Sequence, residues 1–192
     1  MRSLRILTPA GLLFACLIAL GACTSPDPVL YTIAVQDGPT VSGGAKTVEL
    51  RDIGLAGYLD RQHIVLGSDG YRLQVMSNDT WGEPLGGMIG RVLAVELAQR
   101  LPGSNVYGGR SSISLSPDAI VEVNIQRMDA GSDGNLTLLA QVAVKFTHRA
   151  QPVARTFTIT RPLAAVTPGN EVPAISSAVG ELADGIASML AR

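Results

Sequence analysis

The stretch from Val121 to Ile159 constrains the fold of this chain more than any other. Val121, Val123 and Ile125 alternate with Glu122, Asn124 and Gln126. After the turn-rich run Gly131 to Asn135, Leu136, Leu138, Ala140, Val142, Val144 and Phe146 alternate with Thr137, Gln141, Lys145 and Thr147, and Val153, Phe157 and Ile159 carry the pattern on. A period of two repeated over three successive runs is that of an antiparallel meander with one wet face and one dry face. The dry face needs a cover, and a helix is the element that supplies one. The last segment fits, because Val172, Ile175, Val179, Leu182, Ile186, Met189 and Leu190 are spaced by threes and fours. At this length the near-heptad stripe reads as core rather than coiled coil.

The first half has shorter signals. Val29, Tyr31, Ile33 and Val35 alternate with Leu30, Thr32 and Ala34, and Thr47 to Ile53 is a second predicted strand. Gln36 to Lys46, with Gly38-Pro39 and Gly43-Gly44, reads as a flexible loop. Ile64 to Leu66 and Tyr71 to Met76 flank Gly67-Ser68-Asp69-Gly70, a composition suited to a tight hairpin turn. Thr80 and Glu83 have capping-box spacing ahead of a helix carrying Leu85, Met88, Ile89, Val92, Leu93 and Leu97, which Leu101-Pro102-Gly103 stops. Trp81 reads as the anchor at that helix entry, with a partner-binding aromatic as the alternative. Gly82, Gly86 and Gly90 then share a helical face and permit close packing on the sheet. The expected fold is a single mixed α/β (α+β) domain: a twisted mixed sheet with an antiparallel meander, packed against two helices.

The N-terminus sets where that domain begins. Arg2 and Arg5 precede the apolar run Ala10 to Leu20, and the small pair Gly21-Ala22 precedes Cys23. This order is that of a bacterial lipoprotein signal cut before Cys23. Spanning is the poorer reading, because a transmembrane helix needs about 20 apolar residues and this run is bounded by Pro9 and Thr24-Ser25-Pro26-Asp27. Residues 1–22 are therefore assigned to the signal, 23–28 to a lipid-anchored tether and 29–192 to the domain. Thr24 to Pro28 reaches less than about 20 Å even when extended. In bacterial lipoproteins an aspartate after the acylated cysteine favours inner-membrane retention, so Thr24 points to the outer membrane, with the domain facing the periplasm.

Cys16 leaves with the signal and Cys23 is acylated, so the mature chain has no disulfide or thiolate metal site to draw on. Without Arg2 and Arg5 it keeps 13 basic and 16 acidic residues, a net charge of −3, which gives no electrostatic footprint for nucleic acid. His63 and His148 lie on separate predicted strands with no local carboxylate or cysteine partner. No phosphate-cradling loop, nucleophile elbow or H-E-x-x-H pair occurs. Asp52 and Asp60 have no spacing that assigns them acid and base roles. The expected class is non-enzymatic, with no cofactor and no metal.

Tyr58-Leu59-Asp60-Arg61 followed by Ile64-Val65, then Asn78, Trp81, Pro84-Leu85, Arg91, Leu93, Leu97 and Leu101-Pro102, resembles the signature of the PqiC (YmbA-like) family of ABC-type transport auxiliary lipoproteins. The similarity runs from Tyr31 through the last helix and is densest from Gly57 to Pro102. Gly57 replaces a proline common in the family, and Leu30-Tyr31 a paired tyrosine. The resemblance implies a docking partner of MCE-type proteins, which carry lipids between the membranes of the envelope. It marks Tyr58, Leu59, Asp60, Arg61, Trp81, Pro84, Leu85 and Arg91 as partner or motif residues. Self-association into a homo-oligomer stays open, as do a structural envelope lipoprotein and a small-ligand or lipid-binding module.

Replacing the acylated residue tests the N-terminal assignment. Cys23→Ser is expected to abolish incorporation of labelled fatty acid and to leave an unprocessed or soluble precursor. Undiminished labelling, or unchanged fractionation with the outer membrane, would contradict it.

Overall fold

A computed structural model describes residues 27–108, 112 and 115–191; the signal and Cys23 lie outside them. Strands β1 (Val29–Tyr31), β2 (Thr47–Leu50), β3 (Gly54–Leu55), β4 (His63–Asp69) and β5 (Arg72–Trp81) precede helix α1 (Leu85–Arg100). Strands β6 (Asn105–Gly108), β7 (Ala119–Ala130), β8 (Asn135–Phe146) and β9 (Val153–Pro162) precede helix α2 (Pro168–Leu190).

The sheet is organised around β7. One edge of β7 pairs antiparallel with β8 from Ala119↔Phe146 to Ala130↔Leu136, and β8 pairs antiparallel with β9. Three short parallel pieces share the other edge in succession. These are β2 from Val48↔Ala119 to Leu50↔Val121, β3 at Gly54↔Asn124 and Leu55↔Ile125, and β4 at Gly67↔Ala130. β6 extends the sheet beside β2, β5 folds back antiparallel on β4, and β1 lies parallel to β5. The result is the expected mixed α+β domain, with one open mixed sheet and two helices against it.

The meander buries its expected residues up to Ile125. A bulge between Ile125 and Arg127 then adds one residue to β7. Because side chains alternate strictly along a strand, one extra residue reverses the inward phase, and Met128 and Ala130 point to the core beyond it. The inward residues pack against Met88, Ile89, Val92, Leu93 and Leu97 of α1 and Ile175, Val179, Leu182 and Ile186 of α2, all buried in one cluster.

Four local expectations are corrected. The strand predicted from Val29 to Val35 ends at Tyr31, because the N–H groups beyond it bond to helix side chains rather than to a neighbouring strand. Ile33 N–H donates to Met88 Sδ (3.2 Å), Ala34 N–H to Ser176 Oγ (3.1 Å) and Gln36 N–H to Glu96 Oε1 (2.8 Å). With Val41 N–H on the Arg100 carbonyl (2.7 Å), these bonds turn the start of the expected loop into an extended strap across both helices. Thr47 to Ile53 contributes only Thr47–Leu50, with β3 separate. The hairpin turn falls at Gly70-Tyr71, where Gly70 takes a left-handed φ of 56°.

The capping box does not form. Thr80 and Trp81 are the last residues of β5, Thr80 opposite His63 and Trp81 opposite Tyr31, so strand pairing has claimed the residues a cap would need. Helix α1 starts after Pro84, with no side-chain cap. Gly82 therefore precedes the helix. Gly86 and Gly90 are on it and admit the chain after β2: an added Cβ would stand 3.3 Å from the Ile53 carbonyl oxygen at Gly86 and 3.5 Å from Ile53 Cγ1 at Gly90. Among the described residues no helix is long and apolar enough to cross a membrane.

One buried charge joins the strap and the helices. Arg100, 1 % exposed, donates from Nε to Asp184 Oδ1 (2.5 Å), from Nη1 to the Gln36 (3.1 Å) and Glu96 (3.2 Å) carbonyls, and from Nη2 to the Gly180 carbonyl (3.1 Å). Gly38 must be glycine here, since a Cβ would fall 2.2 Å from Nη2. Arg100→Met is expected to lower stability by about 3 kcal/mol, as loss of the guanidinium leaves the buried Glu96 and Gly180 carbonyls and the half-exposed Asp184 unmatched. Lysine should not restore it, having no planar fork to serve these acceptors together. Denaturant unfolding checks this; an Arg100→Lys chain as stable as the parent would contradict it.

Candidate functional site

The loop between β3 and β4 is held from within. Ala56 N–H donates to the Ile125 carbonyl (2.9 Å) and continues the β3 pairing, Leu59 N–H closes a turn on the Ala56 carbonyl (2.8 Å), and Trp81 N–H reaches the Gln62 carbonyl (2.8 Å). Leu59 is buried in the core, and Tyr58 OH donates to Asp129 Oδ2 (2.6 Å). With both neighbours turned inward, Asp60 and Arg61 are left exposed at the apex.

The motif residues thus divide into two groups. Leu59, Trp81 and Leu85 are buried, and Tyr58 caps the core through its hydroxyl. Asp60, Arg61, Pro84 and Arg91 face solvent, Arg91 paired with Glu83 (2.5 Å). Asp60 and Pro84 line a cleft of about 140 Å³ with Asp52, Ile53, Leu55, Gly86 and Gly87. Past Gly86 and Gly87 the surface continues into a groove of about 430 Å³ along α1, floored by Leu50, Ile53, Gly90, Ala94 and Val106 and flanked by Arg91, Val95 and Tyr107. Cleft and groove are contiguous, sharing Asp52, Ile53, Gly86 and Gly87, with an apolar floor and charged margins.

The polar centre behind the loop was not legible in the sequence. Asp129, fully buried, accepts from Tyr58, from Ser68 Oγ (3.2 Å) and from Arg127 Nε (2.8 Å). Burial, with the Asp129 carboxylate beside it, pushes the Tyr58 hydroxyl well above the usual tyrosine range. Glu171, at the start of α2, is buried beside the Ala130 N–H, with neither carboxyl oxygen in a well-formed hydrogen bond. Burial and the Asp129 charge raise its pKa to about 8. Glu96 is raised to about 7, chiefly by burial.

His63 opens β4 and His148 follows β8, both exposed, and they do not converge. No group of three or more His, Cys, Asp or Glu side chains among the described residues is placed to hold a metal ion. The wet face of the meander carries an open depression of about 730 Å³, where Arg51 pairs with Glu122 (2.8 Å) near Asn124, Gln141, Arg155 and Thr156.

A family model described as an ABC-type transport auxiliary lipoprotein component matches residues 30–187. The crystal structure of an uncharacterized protein superposes with a TM-score of 0.70 at 16 % identity, over 85 % of this chain and 98 % of that one. A Xanthomonas campestris protein, from a family designated only as a domain of unknown function, gives 0.69 at 14 % identity over 83 % and 92 %. Both likenesses show the fold. No curated protein sequence matches the chain significantly.

The raised carboxyls make stability depend on pH. A carboxyl whose folded pKa exceeds its unfolded value of 4.5 binds its proton more tightly in the folded state. Its contribution is complete below about 4.5 and is lost as pH rises through the folded values. The melting temperature should fall between about pH 5 and about pH 8.5, and Glu171→Gln should flatten that slope. A slope unchanged in Glu171→Gln would contradict the Glu171 assignment.

Proposed function

The chain belongs to the ABC-type transport auxiliary lipoprotein family, the PqiC (YmbA-like) family its motifs resemble, and from that premise we propose that it is a non-catalytic docking platform. Acyl groups on Cys23 hold it in the outer membrane with its domain in the periplasm. There it receives a periplasm-spanning MCE-type subunit of an ABC-type intermembrane lipid transporter and supports membrane integrity.

The observation that carries this reading is the shortness of the connection. β1 begins at Val29, six residues after Cys23, a reach of about 20 Å. So short a link keeps the domain at the membrane, and a trans-envelope pathway must bring its other component to it. The surface offered is the cleft and groove beside α1, with Asp60 and Pro84 at its mouth, the exposed Arg61 next to Asp60, and Arg91 on its margin. The space between helices and sheet is filled by buried side chains of the core, which directs recognition to this outer surface rather than to an internal lipid site.

A photoreactive residue in place of Asp60 or Arg61 is expected to trap a large periplasmic transporter subunit in intact cells. The reading fails if these positions and Arg91 trap none and deletion leaves outer-membrane lipid composition and detergent resistance unaltered.

A further inference from the structure

The β4–β5 hairpin carries exposed apolar side chains at its tip and along β5. Tyr71 at its tip is fully exposed, and Leu73 (43 %) and Val75 (38 %) follow on β5. Leu73 and the exposed Val166 border one groove. A hairpin tip gains nothing in solution by displaying tyrosine, leucine and valine, and such a patch ordinarily marks a contact.

The register of β1 gives the direction of the chain beside this hairpin. β1 lies parallel to β5 with Val29 opposite Asp79, and it covers only Asp79 to Trp81 of that edge. Asn78 Nδ2 donates to the Asp27 carbonyl (3.0 Å), so the chain is already alongside β5 before β1 begins. Because the pairing is parallel, Pro28 and Asp27 lie on the side of Val29 that points toward the hairpin tip. Cys23 is six residues before Val29, and Leu73 is six residues before Asp79. At about 3.3 Å per residue both spans are about 20 Å. The tether thus has the direction and the length to deliver the acylated cysteine beside Leu73 and Tyr71.

We propose that the β4–β5 hairpin tip is a membrane-contact device, which inserts Tyr71, Leu73 and Val75 into the phospholipid interface next to the acyl chains. Its occupant is the lipid surface itself. Tyrosine places an apolar ring and a polar hydroxyl at that boundary, and Arg72 beside it suits anionic headgroups. A single flexible anchor would leave the domain free to tumble; a second contact fixes its orientation. Asp60 and Arg61 precede β4 while Tyr71 follows it, seven strand residues away or roughly 20 Å, so the contact turns the docking surface away from the lipid. The inference rests on the acyl anchor of the proposed function.

The test uses the full lipidated chain. Cys16 is removed with the signal and Cys23 is acylated, so Tyr71→Cys introduces the free thiol that takes a fluorophore. The labelled protein is reconstituted on phosphatidylethanolamine–phosphatidylglycerol vesicles containing lipids with quenchers on their acyl chains, with Val95→Cys, at an exposed position of α1, as control. Quenching at position 71 is expected to be severalfold stronger than at 95. Flotation with the vesicles but equal quenching at the two positions overturns the hairpin contact and leaves the anchor intact. Crosslinks between copies from position 71 in place of lipid quenching assign the tip to a second copy and also overturn it. Failure to float, with label entering the parent chain at Cys23, overturns the anchor and this inference together.

Discussion

Arg100 is the point on which the rest of the structure depends. Its guanidinium serves the strap at Gln36, its own helix at Glu96 and the second helix at Gly180 and Asp184. A charge this deep is tolerated because its donors meet a carboxylate and backbone oxygens, and it selects one arrangement of the three segments rather than adding much net stability. The strap continues from β1, so fixing it also fixes the direction in which the N-terminal segment leaves the domain. In the proposed arrangement, a contact in the helix layer thereby bears on how the domain meets the membrane.

The meander and both helices were legible because their hydrophobic periods are strong and local. What escaped was decided by partners distant in sequence. Ile33 to Val35 read as strand because their alternation is real, yet the N–H groups of Ile33, Ala34 and Gln36 face Met88, Ser176 and Glu96, which no local pattern reveals. Thr80 and Glu83 have a cap's spacing, but pairing with His63 holds Thr80 in the sheet. The bulge at Gln126 left no glycine or proline to mark it.

The candidate surface was half legible. The run Tyr58 to Arg61 did contain the exposed pair Asp60 and Arg61, and the structure brings Asp60 to Pro84. The same motif mixes surface with support, since Leu59, Trp81 and Leu85 are core and Tyr58 is spent on Asp129. The groove along α1 needed the tertiary structure, because Leu50 and Val106 come from strands on either side of the helix in sequence. Gly86 and Gly90 were its one local signal.

A domain bolted by Arg100 and held close to a membrane performs its proposed role only if something crosses the periplasm to meet it. The most direct measurement is purification of the lipidated chain from solubilised native envelopes, with quantitative identification of what accompanies it. One large periplasm-spanning subunit should be enriched with the parent and depleted with a charge-reversed Asp60→Lys, Arg61→Glu chain of equal abundance and stability. Enrichment of no such subunit, or equal enrichment with both chains, would contradict a docking platform built on this face.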